Sequence, residues 1–348
     1  MSVVGVDLGG TKVAAASLAE RRLGEPVVRT TRLDTGDELV DQLAELVGEV
    51  RDPELEAVGV GVPSIVDFTT GTVVSSVNVP LADVPLRHVL SDRLDVPVFV
   101  DNDATVAALA EAFDEQLRPV ARNLVMLTIG TGVGAGLVLG GRIYRGSTGA
   151  AGELGHTIIG LDPEGPVPLG GEFPQPGSLE SLASGHSLDH LACEAARASP
   201  DSTLGRLLAE DKPVRGAEAV LAARAGDEAA RRTVEIWAQH VGIGVANAIN
   251  TFDPDEVVIG GGAALAGDLL LEPATQVARA YVVPGLGEHT VIRLARHGAV
   301  AGVLGAAMLA VHELEQPPTK GTEGGGHSQE QTGGTARADE RNLEVWQP

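Results

Sequence analysis

Val3-Val4-Gly5-Val6-Asp7-Leu8-Gly9-Gly10-Thr11-Lys12-Val13 is a short apolar run, a glycine turn and the start of a second apolar run that reaches Leu18. Such a pattern predicts a β-hairpin. A second stretch echoes it. Leu127-Thr128-Ile129-Gly130-Thr131-Gly132-Val133-Gly134 is again a buried strand, a Gly/Thr turn and a return strand. Two units of this kind predict two lobes of similar topology facing each other.

Outward from the hairpins, strands and helices alternate, which favours an α/β class. Leu39 to Val50 has helical periodicity, and Val58 to Val62 is a strand stopped by Pro63. Val98 to Val100 predicts another short strand, followed by an alanine-rich helix from Ala104 to Phe113. Leu124 to Ile129 and Ala135 to Leu139 form the second hairpin. Gly160 to Gly177 is rich in Gly and Pro and predicts a long exposed loop, of a kind that usually serves a site. Glu228 to Phe252 is a long helix, Val257-Val258-Ile259 a strand running into Gly260-Gly261-Gly262, and Val300 to Leu314 an apolar final helix. The expected division is a first lobe over 1–115, a larger second lobe over 116–299 and a helix over 300–314 that returns to the first. The Gly, Gln, Glu, Thr and Pro of 315–348 are expected to be disordered, since they bury too little to offset their ordering entropy.

The 348 residues carry a formal charge of -23, which argues against nucleic acid and anionic membrane as partners. Phosphate ligands stay open, because backbone amides and Mg²⁺ hold them locally. Cys193 is the single cysteine, so an intrachain disulfide and a multi-cysteine metal site are ruled out. The N-terminus reads as a strand and not a signal peptide, and no uninterrupted apolar run would span a bilayer, so the cytoplasm is the expected compartment.

Gly9 and Gly10 let backbone amides approach an anion closely, Thr11 adds a hydroxyl and Lys12 a cation. Asp7 ends the strand beside them, where it can hold Mg²⁺ through water. Gly130, Thr131, Gly132 and Gly134 follow the same logic. Gly260, Gly261 and Gly262 lie at a strand end, where α/β folds place ligands. Each turn taken singly is equally a plain hairpin, and the P-loop spacing is absent. Asp103 can accept a hydroxyl proton and Asn102 can hydrogen-bond a sugar, yet Asp103 directly before an alanine helix is also a good N-cap. Glu153, His156 and Glu180 can ring vicinal hydroxyls, or each can be an ordinary solvated or satisfied side chain.

Taken together, these motifs resemble the ROK family of bacterial sugar kinases and repressors over roughly Val3 to Leu314. Asp7-Leu8-Gly9-Gly10-Thr11-Lys12 is similar to the family's first phosphate motif. Leu127 to His156 is similar to its signature, and Val300-Ala301-Gly302-Val303-Leu304-Gly305-Ala306-Ala307 to its last helix. The resemblance implies an actin-like ATPase fold, with two RNase-H-like lobes about a central cleft. It implies Asp103 as general base and Asn78, Asn102, Glu153, His156 and Glu180 as sugar contacts. The two glycine turns become phosphate loops, and Gly260-Gly261-Gly262 meets the adenosine side. ATP with Mg²⁺ and a hexose, glucose first, are the implied ligands, in a homodimer or homotetramer.

Two departures stand out. The family usually carries a CxCGxxGCxE zinc loop after the GH. Here Pro168 to Glu180 has no cysteine and keeps only Glu180, so no structural zinc is expected. Ser64 replaces a usual glycine, and is expected to narrow the sugar pocket or add a hydroxyl contact. The alternatives are a kinase for N-acetylmannosamine, N-acetylglucosamine or another hexose, a sugar-responsive repressor of the family, and a non-catalytic sugar-binding protein. The first strand's start at Val3 leaves no room for a repressor's helix-turn-helix.

Overall fold

β1 (Ser2–Leu8) is buried along nearly its whole length, as its valine-rich sequence requires. It pairs antiparallel with β2 (Lys12–Ala19) and parallel with β5 (Leu55–Val62), which pairs parallel with β8 (Val98–Asn102). Short β3 (Arg22–Leu23) and β4 (Val27–Thr30) complete this sheet against β2. β6 (Ser64–Asp67) and β7 (Thr72–Ser76) form a separate hairpin. The protein is described here from a computed structural model, which covers residues 1–315 except 77, 164, 166–169 and 172. The disorder expected of the tail and the loop residues Glu164 and Glu172 thus fall outside the described residues, apart from Glu315, which ends a helix.

The second sheet repeats the first. β9 (Leu124–Ile129) pairs antiparallel with β10 (Val133–Leu139) and parallel with β12 (Glu256–Gly260). β11 (Arg142–Ile143) extends the antiparallel side and β13 (Val291–Leu294) the parallel side. Strand order and pairing sense match those of β3-β2-β1-β5-β8. The echo between the two glycine turns is therefore a repeat of a whole sheet.

Helices cover both sheets. α1 (Gly36–Val50), N-capped by Thr35, buries Leu39, Leu43, Leu46 and Val47, and α2 (Leu86–Leu94) joins the same core. α4 (Leu179–Ala183), α5 (Gly185–Ala198), α6 (Thr203–Ala209), α7 (Gly216–Arg224), α8 (Glu228–Phe252) and α9 (Asp268–Tyr281) build the core around Trp237. Cys193 on α5 is partly buried, and its thiol meets the Val214 carbonyl at 3.2 Å.

Two helices cross between the repeats. α3 (Asp103–Glu111) follows β8, and α10 (Ala301–Glu315) follows β13. They pack on each other, α3 also against β9 and β10 of the second sheet, α10 against β1, β2 and β5 of the first. Glycines permit the approach. Gly5 and Gly59 sit opposite each other on β1 and β5, and a Cβ on either would run into the α10 backbone at Val303 or Ala306. Gly136 meets the backbone of α3 at Ala104, and Gly305 meets it at Val106. By length and composition the stretch Gly298–Glu315, with a mean hydropathy of 1.3, could cross a membrane. Here it is a core helix, with Val303, Leu304, Ala306, Ala307, Leu309 and Ala310 all buried. Met1–Glu315 forms one compact unit.

Candidate active site

The parallel strands bring their carboxyl ends together. Asp7 pairs with Gly61 on β5, Gly61 with Asp101 on β8, and Val62 with Asn102. The chain then turns into α3, so Asp103 emerges at the junction of the two repeats. A Cβ on Gly61 would lie 3.5 Å from the Asp103 Cα, and one on Gly134 of β10 would lie 3.4 Å from the Ala104 Cβ.

Asn102, and not Asp103, is the N-cap of α3: its Oδ1 accepts from the amides of Ala104 at 3.0 Å and Thr105 at 3.2 Å. The capping role weighed for Asp103 belongs to its neighbour, because the neighbour is the last residue with extended backbone. Asp103 Oδ1 accepts the Ala104 amide at 2.7 Å. Burial pushes the Asp103 carboxyl up to about 6; the Ala104 amide opposes the rise and the charge of Asp7 adds to it. Burial raises Asp7 as well. A Cβ on Gly302, in the first turn of α10, would run into the Asp7 carboxylate, so that helix start abuts Asp7.

At the first turn, Gly9 N donates to Lys12 O at 2.9 Å and the Thr31 hydroxyl donates to Gly9 O at 2.7 Å. Thr11 and Lys12 are exposed. Asn78 lies against this turn, its Cβ 3.5 Å from a Cβ built on Gly10. Ser64 is buried and its hydroxyl donates to Ser76 Oγ at 2.9 Å, which in turn donates to Val79 O at 2.8 Å. The Ser64 carbonyl accepts from Asn102 Nδ2 at 3.4 Å. Its one hydroxyl donor is thus directed at β7, leaving acceptor capacity alone for a ligand.

The second turn is a wall between two cavities. One, of about 570 Å³, is lined by Gly130, Thr131, Gly262, Ala263, Leu265 and Arg224 among others. Gly261, with φ of 75°, presses against the Ile129 carbonyl and so brings the third glycine run beside the second turn. The other cavity, of about 580 Å³, is shared by Asn78 of the first half and Thr131, Gly132 and Glu180 of the second. Glu180 Oε2 accepts the Val133 amide at 2.7 Å, and a Cβ on Gly132 would strike it. A carboxylate on that side repels phosphate, so the turn's open face for an anion is the side of Gly130 and Thr131.

Glu153 is exposed and its carboxylate lies 3.7 Å from His156 Nε2. His156 meets the edge of the Phe173 ring at 5.0 Å between centroids, and its buried Nδ1 has no hydrogen-bond partner among the described residues. The cysteine-free loop offers a donor set unlike the family's zinc loop. It has no thiolate, and among the described residues no three His, Cys, Asp or Glu side chains converge on a metal site. Among the described residues, no hydrogen bond or ion pair joins Glu153 or His156 directly to Asn102 or Asp103. What links them is Arg145, unremarked in the sequence. Its Nε donates to Asp101 Oδ2 at 2.7 Å and its Nη2 to Glu313 Oε1 at 3.1 Å.

Known proteins match this chain in sequence and fold. The ROK family model matches residues 3–313. A glucokinase of Halalkalibacterium halodurans is 35% identical over 331 residues, 92% of this chain and 98% of the relative. A solved ROK family glucokinase from Streptomyces griseus, in complex with glucose and AMPPNP, superposes with a TM-score of 0.73 at 31% identity, covering 90% of this chain and 100% of that one. A ROK hexokinase from Thermus thermophilus superposes at 0.70 with 37% identity, covering 90% and 99%. The duplicated α/β sheets are those of the actin-like sugar kinases, and the chain belongs to the ROK family.

Proposed function

We propose that the chain is an ATP-dependent hexose kinase that converts glucose and ATP to glucose 6-phosphate and ADP. One observation carries the mechanism: a carboxylate raised to about 6, Asp103, stands between the first turn with Asp7 and the second sheet at Gly134. A base with that pKa is ionised at neutral pH and still basic enough to take a proton. It removes the proton of the sugar 6-hydroxyl as that oxygen attacks the γ-phosphorus. Asn78, Asn102, Glu153, His156 and Glu180 hold the other hydroxyls.

Adenosine occupies the cavity lined by Gly262 and Ala263, at the end of the Gly260-Gly261-Gly262 run. The phosphates run past Gly130, Thr131, Gly132 and Gly134 toward Gly9, Gly10, Thr11 and Lys12. Asp7 would hold the water shell of an Mg²⁺ bound with ATP, which would offset phosphate charge. Since phosphoryl transfer depends chiefly on positioning and charge stabilisation, the residue blocks 1–115 and 116–299 act as lobes that close over both substrates, with 300–314 linking them. Closure also keeps water from competing as acceptor. We further propose a homodimer or homotetramer in the cytoplasm, without a nucleic-acid or membrane partner.

The test is ADP release with ATP and Mg²⁺ across a panel of glucose, mannose, N-acetylglucosamine, N-acetylmannosamine and no sugar. Glucose-dependent release, with glucose the preferred acceptor by kcat/KM, supports the reading. Preference for an N-acetylated hexose transfers it to that acceptor, and release independent of sugar overturns it.

A further inference from the structure

The two groups of acceptor residues assigned above come from different repeats. Asn102 ends β8 of the first sheet and Asp103 begins α3 directly after it, while Glu153 and His156 follow the β10–β11 hairpin of the second. Arg145 joins them. Its carbonyl accepts the Ala151 amide at 3.1 Å, which closes the loop two residues before Glu153. That loop is seated on the first half, since Gly149, with φ of 86°, abuts the Val66 carbonyl of β6. The Arg145 guanidinium reaches back to Asp101 Oδ2, and the other oxygen of Asp101 accepts the Asn102 amide at 2.9 Å.

The strut is held from all sides. Asp101 is 2% exposed. Glu313, in the last turn of α10, takes a second guanidinium nitrogen. The Phe68 ring packs against the guanidinium with 3.4 Å between Arg145 Cζ and the ring centroid. A partly buried arginine fork fixed by two carboxylates and an aromatic face has little rotational freedom. A lysine would keep the charge and lose the fork.

We propose that Arg145 is a positioning residue that sets the spacing between the base-bearing strand end and the sugar-holding loop, and so governs affinity for the acceptor sugar. The proposal rests on the kinase reading above. It concerns KM for the sugar and leaves the nucleotide side, at Gly130, Thr131 and Gly262, untouched.

Steady-state kinetics with each substrate varied, on wild type, Arg145→Met, Arg145→Lys and Glu313→Gln, test it. Misplacing one half of a site by about 1 Å lowers rates on the order of 10²-fold. Arg145→Met should therefore lower kcat/KM for the sugar by about 10²-fold, mostly through KM, while KM for ATP stays within about twofold. Arg145→Lys and Glu313→Gln should fall between it and wild type, with the same split. A merely structural role predicts lower kcat in proportion to the folded fraction, with both KM values unchanged, and that result overturns the proposal; so does a rise in KM for ATP equal to that for the sugar. If Arg145→Met does not fold, the split in the two milder variants decides. A wild-type chain without sugar-dependent ADP release sinks the kinase reading itself, whereas an active wild type with indifferent variants sinks only the strut.

Discussion

The two glycine hairpins occupy equivalent places in the two sheets and are built differently. The first leaves Gly9 to Lys12 between the paired residues Leu8 and Val13; the second leaves only Gly130 to Gly132 between Ile129 and Val133. The first carries its carboxylate in the strand itself, at Asp7, where the second has Thr128. The second borrows one from α4, since Glu180 covers the Val133 amide. In the proposed reading both turns face phosphates, and the carboxylates divide them: Asp7 is suited to a cation beside the terminal phosphates, and Glu180 closes the face of its turn proposed to look toward the sugar.

Asp103 stands at the junction of both repeats, so replacing it is the largest disturbance. Asp103→Asn should lower kcat by about 10²–10⁴-fold, the usual loss for a general base, with sugar KM within a few-fold. Because the carboxyl sits at about 6, wild-type kcat/KM should fall roughly tenfold per unit as pH drops below that value, and the limb should vanish in the variant. Near-normal turnover in Asp103→Asn, read by coupled ADP release, would remove it from the chemistry.

Asp7→Asn tests what the in-strand carboxylate adds. Losing a charge-assisted hydrogen bond of about 1.5–3 kcal/mol predicts a kcat loss of roughly 10–10²-fold, with a higher Mg²⁺ requirement. The sign on Asp103 is also fixed. The Asp7 charge raises it, so the variant's acid limb should move to lower pH. A limb that stays in place would show that the two carboxylates act independently. A limb that moves upward would show that Asp7 is not the like charge felt there.

Both turns and their strands are legible in the sequence because local signals make them: apolar runs, glycines at the turn, a return run. The long helix from Glu228 to Phe252 is legible for the same reason, its apolar face repeating at helical spacing. Gly5, Gly59 and Gly136 inside strands carried a readable signal of close backbone approach, and α10 and α3 are what approach. The partners of Arg145, 44 and 168 residues away, leave no periodicity to read. The same holds for buried Glu111, which ends α3 and pairs with Arg293 at 2.6 Å, 182 residues on. α9 was hidden by Pro273 inside it. That Asn102 takes the cap in place of Asp103 was not read, since either residue type caps well and the choice depends on where the backbone turns.

Alanine in the two turns separates their packing. Among the described residues, a Cβ on Gly10 meets nothing closer than 3.5 Å, whereas one on Gly132 runs into Glu180. Gly132→Ala should therefore destabilise the fold by about 1–3 kcal/mol, the usual penalty of overpacking. Gly10→Ala should stay within about 0.5 kcal/mol. Urea unfolding of the two variants compares them directly. Equal losses would mean that Glu180 swings aside freely and does not fix the second turn.

The smallest effect is expected at Ser64, which supports the first turn from a distance. Its hydroxyl donates to Ser76, and Ser76 donates to the carbonyl of Val79, next to the Asn78 that packs on Gly10. Ser64→Gly removes the first donor in that relay and leaves the backbone carbonyl that meets Asn102. One neutral hydrogen bond is worth about 0.5–1.5 kcal/mol, and only part of that reaches Asn78. If about 0.5–1 kcal/mol does, sugar KM rises roughly twofold to fivefold. KM for ATP and the acid limb should not move, because neither the second turn nor Asp7 touches the relay. The contrast with Arg145 is one of magnitude along the same axis, both acting on the acceptor and neither on the donor. A larger change in KM for ATP than for sugar would place Asn78 on the phosphate side of the first turn, and would make that hairpin, like its counterpart, a wall between two ligands.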